Sequence, residues 1–86
     1  MEKYRTEVEG LGPRELAREV CALRYDSVQE FMDEMSSQLV MDSLKDRTAG
    51  RIKLSQLLAE VSVHCSRASD DMKDVWEICR PHVKGI

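Results

Sequence analysis

Proline occurs twice and glycine four times in these 86 residues, and none of the six falls between positions 51 and 80. The chain is therefore short of the residues that interrupt helices. Cysteine is scarce and odd in number. Cys21, Cys65 and Cys79 cannot form a complete intramolecular disulfide framework, and a reducing, cytoplasmic setting is expected. The first residues, Met-Glu-Lys-Tyr-Arg-Thr-Glu, have no apolar run like that of a signal peptide. No stretch is long and apolar enough to suggest a membrane span. Basic excess is missing too: the formal net charge is −3, which argues against a general nucleic-acid binder. There is no glycine-rich phosphate loop and no carboxylate pair set for acid–base work. The chain is expected not to be an enzyme, and no cofactor or metal is expected.

What is present is an ordinary apolar fraction, 42%, with a high charged fraction, 34%, which together exclude a disordered polar tail for most of the length. Eighty-six residues leave room for one domain with a thin core. Residues 1–12 read as a flexible N-terminal arm ending in the breaker cluster Gly10-Leu11-Gly12-Pro13, and residues 13–86 as a single helical domain.

Pro13 suits the first position of a helix, and Leu16, Val20 and Leu23 on one face carry that helix to about Arg24. Ser27 and Glu30 have the spacing of a capping box, placing a second helix over 28–47 with Lys45 and Arg47 at its C-terminal end. Gly50 is the natural left-handed residue beyond that end, and so short a link makes the next helix antiparallel.

The third helix, about 51–80, carries the clearest pattern in the chain. Leu54, Leu58, Val61, Cys65, Ala68, Met72, Val75 and Cys79 recur at steps of four and three, a heptad seam, and Pro81 stops the helix. Ser69-Asp70-Asp71 resembles a helix start, so a break there is the alternative. The uninterrupted phase favours one helix. The fold expected is all-α: three helices, the last two a long antiparallel, coiled-coil-like hairpin, with dimerisation completing a bundle.

Several residue groups are candidates for function. A second helix of about 20 residues leaves the far end of the third uncovered. Met72, Val75, Trp76 and Cys79, with Met32 and Met35, are therefore expected to contact a partner. A core position is the plainer reading for Trp76, the only tryptophan, and for the methionines. Lys45, Arg47, Arg51 and Lys53 cluster at the inter-helical turn and offer an anion or nucleic-acid contact. Arg51 and Lys53 stand at a helix start, where the dipole disfavours cations.

His64, Cys65, Cys79 and His82 resemble a metal set only superficially, because one helix would hold Cys65 and Cys79 about 21 Å apart. His64 and Cys65 point about 100° apart, so neighbours in sequence make no nucleophile–base pair. Residues 57–63 faintly suggest a helix-turn-helix. The second helix of that motif would present Asp70, Asp71 and Asp74 to phosphate, and the turn glycine is absent. The expectation is a non-enzymatic protein–protein interaction module, an adaptor, chaperone-like subunit or inhibitor working as a homodimer. The alternative is a nucleic-acid-associated transcriptional regulator using the basic cluster.

Overall fold

The computed structural model describes residues 3–83. Three helices follow in order: α1 (Pro13–Cys21), α2 (Tyr25–Thr48) and α3 (Ile52–Cys79), with a single 3-10 turn, Arg80–His82, at Pro81. No strand occurs among the described residues beyond one isolated bridge between Val8 and Leu11. That bridge closes a tight turn in which Glu9 and Gly10 both take positive φ, 50° and 79°.

α2 and α3 form the antiparallel hairpin, and their packing dominates the structure. The link is a Schellman motif. Arg51 N–H donates to the Asp46 carbonyl at 2.8 Å and Gly50 N–H to that of Arg47 at 3.0 Å. Gly50 has φ of 85°, which only glycine adopts without strain. α3 runs unbroken through Ser69.

Three local expectations are corrected. α1 ends at Cys21, short of Arg24, in a turn where Leu23 N–H bonds the Val20 carbonyl. α2 starts at Tyr25, so Ser27 lies inside the first turn and no capping box forms. The start is fixed by Arg24, whose guanidinium grips the Asp26 carboxylate through Nε and a terminal nitrogen, each at 2.7 Å. That places a carboxylate at the positive end of the helix dipole. At 24 residues α2 is also longer than expected, against 28 for α3, so less of α3 is left without a facing helix.

The larger correction concerns the seam. The apolar stripe of α3 is not the centre of its contact with α2 but flanks it. The buried residues of α3 are Ser55, Ser62 and Ser69, seven apart, and α2 meets them with Ser43, Ser36 and Gln29, also seven apart. Ser43 Oγ donates to the Ser55 carbonyl at 2.7 Å and lies 3.0 Å from Ser55 Oγ. Ser36 Oγ donates to the Ser62 carbonyl at 2.8 Å. Gln29 Nε2 donates to Ser69 Oγ at 2.9 Å, and that hydroxyl donates to the Gln29 carbonyl at 3.2 Å. A seryl side chain is short, so a hydroxyl that reaches the neighbouring backbone holds the axes at the close end of the usual ~8–10 Å range. A bulky seam would separate them. No buried side-chain oxygen or nitrogen among the described residues lacks a hydrogen-bond partner, so placing serines here carries little penalty.

Candidate functional site: the apolar face of the hairpin

With the contact made by serines, the apolar stripe is displaced to one side. In a heptad frame Leu58, Cys65, Met72 and Cys79 lie roughly 50° around α3 from the serine column, and Leu54, Val61, Ala68 and Val75 roughly 100°, in the same sense. On α2 the same offsets bring Met32 and Leu39, then Val28 and Met35. Because the helices are antiparallel, equal angular senses lead to the same side of the hairpin. The result is one broad apolar face built from both helices. Phe31 and Leu57, 43% and 52% exposed, stand at its margins.

This face is only partly covered. Val28, in the first turn of α2, is the one buried hydrophobic residue among those described. Val61 and Met35 remain 45% and 42% exposed, while Leu58, Cys65, Met72 and Val75 are half-buried. α1 packs against α2 but does not pack on α3. The arm reaches the turn end, where the Lys3 ammonium bonds the Asp42 carboxylate, and an open cleft there is lined by Lys3, Asp42, Asp46, Arg51, Leu54 and Leu58. The opposite face is mixed, with Asp33, Ser66, Asp70 and Lys73 beside Val40 and Val63.

Five of the six residues singled out for partner contact share the apolar face: Met32, Met35, Met72, Val75 and Cys79. Trp76 does not. It continues the serine column, seven residues beyond Ser69, at the level where α2 has ended. Its neighbour there is the α1–α2 connector. The Arg24 guanidinium sits 5.2 Å from the ring centroid, in cation–π range, and Ala22, Leu23 and Tyr25 share a shallow cleft with the ring. The same guanidinium holds the Asp26 carboxyl below its ordinary range, through their hydrogen bonds first. Trp76 thus anchors the chain's own connector.

The basic cluster is dispersed around the turn. Arg51 is engaged by Asp46, Nε to Oδ1 at 2.7 Å, which removes the apparent misplacement of a cation at a helix start. Lys45 sits beside Asp42 and Asp46 at the cleft, and the heptad frame sends Arg47 toward the mixed face. His64, Cys65, Cys79 and His82 are not brought together, since α3 is continuous. All three thiols are free, and no cluster of His, Cys, Asp or Glu suited to a metal occurs among the described residues. No helix among the described residues is long and apolar enough to cross a membrane.

Charge is segregated along the hairpin. The half nearest the turn, residues 38–60, carries Lys45, Arg47, Arg51 and Lys53 against Asp42, Asp46 and Glu60, a net of +1. The open half, 25–37 with 61–79, carries four carboxylates on each helix against Arg67 and Lys73, a net of −6.

The serine column was the element missed from sequence. Its signal was present: serines at a strict period of seven on α3, matched by Ser36 and Ser43 on α2. No family model, curated protein or solved structure matches this chain.

Proposed function

We propose that the protein is a non-enzymatic interaction module, of the adaptor, chaperone-like subunit or inhibitor kind, acting through the apolar face of the α2–α3 hairpin. One observation carries this reading. The hairpin closes on serines, so the apolar residues of α3 flank that contact and are only partly covered by it, with Val61 and Met35 the most exposed. An uncovered apolar surface of this kind marks an association site. Met32, Met35 and Met72 give it adaptable side chains, and the charges of the hairpin set orientation at the rim. The nucleic-acid reading is weaker, because Arg51 is neutralised by Asp46 and the turn carries carboxylates that repel phosphate.

The test is comparative affinity capture from host lysate with the wild-type chain, Val61→Lys on the apolar face, and Val63→Lys on the mixed face. Proteins held by wild type and Val63→Lys but released by Val61→Lys are expected. Equal capture by all three would refute the assignment of the face.

A further inference from the structure

We infer that the N-terminal segment, the arm together with α1, is a displaceable strap along the α2 edge of the apolar face, and that a partner must lift it to occupy that edge. This rests on the reading of the face as an association surface and adds its regulation. Two observations carry it, one at each end of a single column of α2.

The column is Val28, Met35 and Asp42, seven apart, on the apolar side of α2 and farther around it from α3 than Met32 and Leu39. Val28 is 4% exposed, whereas Met35, one heptad on and turned by the same angle from α3, is 42% exposed. What differs between the two levels is α1, which packs on α2. Leu16 and Val20 of α1 are half-buried and its outer residues are exposed, so α1 presents its apolar side to the hairpin.

At the other end of the column the Lys3 ammonium bonds the Asp42 carboxylate, and Lys3 lines a cleft with Leu54 and Leu58 of the apolar face. Val28 and Asp42 stand about 21 Å apart along α2. Between Lys3 and Tyr25 the chain therefore travels from the level of Asp42 back to the start of α2, antiparallel to α2. The turn closed by Val8 and Leu11 takes up the slack. The segment is thus held at both ends of one edge.

The hold is weak. α1 has nine residues and none is buried, so it is too short to persist as a helix away from its docking site. Residues 3–10 are exposed throughout. The Lys3 side chain is 77% exposed, so its ion pair is screened by salt and favours closure by a factor of about five at most. A segment of this kind opens without unfolding the hairpin. Opening uncovers Val28 beside Met35 and frees the turn end of the face.

The test uses full-length chains and needs no partner. Hydrogen exchange read by NMR follows opening, and the fluorescence of bis-ANS, a dye that brightens on apolar surface, follows the face. In wild type the amides of α1 are expected to exchange faster than those of α3. Lys3→Glu should raise α1 exchange and dye binding together, by about threefold, and leave α3 exchange unchanged. Combining Lys3→Glu with Asp42→Lys reverses the pair and should restore both. Exchange in α1 as slow as in α3 would make α1 part of the folded unit and overturn the strap. So would Lys3→Glu with unchanged α1 exchange, with faster exchange but no gain in dye, or with no rescue by Asp42→Lys. These outcomes are separate from the capture experiment. Equal capture by wild type, Val61→Lys and Val63→Lys removes the face as an association site whatever the arm does, whereas failure here removes the strap and leaves the face standing.

Discussion

Replacing Ser69 tests the close approach of α2 and α3 directly. Ser69 is fully buried, and its hydroxyl both accepts from the Gln29 side chain and donates to the Gln29 carbonyl. Ser69→Ala keeps the volume and loses those bonds. Gln29 retains its contact with Asp33 at 2.8 Å, so the loss is about 1 kcal/mol. Ser69→Leu adds three carbons where the helices leave no room. Overpacking costs roughly 1–3 kcal/mol beyond the lost bonds, for a total of about 2–4 kcal/mol. Against a typical domain stability of about 5–15 kcal/mol, that is a large fraction. Urea unfolding followed by far-UV circular dichroism, at one fixed protein concentration, reads both variants. With a slope of about 1 kcal/mol/M, Ser69→Ala should move the midpoint by about 1 M and Ser69→Leu by two or more. Ser66→Leu, three residues away at an exposed position, should change stability by less than about 0.5 kcal/mol. If Ser69→Leu matched Ser69→Ala, or were as stable as wild type, the helices would not be packed closely on the serine column and the displaced apolar face would lose its basis.

The remaining expectations are shorter. Gly50→Ala should cost about 1–2 kcal/mol in the same urea assay despite open space around it, because φ of 85° strains any residue with a Cβ. Asp26→Asn should release Arg24 from its two-bond grip and alter the Trp76 fluorescence maximum and quenching, with no loss of helix content; an unchanged spectrum would disconnect the Arg24–Asp26 pair from the ring. Because the Asp26 carboxyl is held below its ordinary range in the folded chain, its contribution is complete above that ordinary range and is lost as pH falls through the lowered value. The wild-type Trp76 signal should therefore change on acidification, and that of Asp26→Asn should change less. Duplex DNA titrated at low salt should show no binding; salt-dependent binding lost on Lys45→Glu with Lys53→Glu would revive the nucleic-acid reading.

The three helices and the direction of the hairpin were legible because they depend on local terms. Pro13, Gly50 and Pro81 mark starts and stops through backbone geometry alone, and an uninterrupted 30-residue span with helical period has no competing structure. The α2 start differs from the pattern because Ser27 and Glu30 fit a capping box, while the grip of Arg24 on Asp26 sets the boundary three residues earlier. Spacing alone cannot distinguish these.

Sequence by itself determined that residues 54–79 form one amphipathic helix and that Met32, Met35, Met72, Val75 and Cys79 belong to apolar stripes. Only the tertiary structure decided which column of α3 faces α2. Hydrophobicity ranks serine below leucine as a core residue, so a reading by transfer free energy assigns the seam to the apolar stripe. Packing follows another quantity as well, the distance at which two helices can satisfy each other's polar groups. Ser36 and Ser43 reach the opposing backbone at 2.8 and 2.7 Å, and that close contact displaces the apolar stripe to one side of the hairpin. Trp76 followed the same rule: it stands in the contact column where α2 has run out, and so it holds the connector.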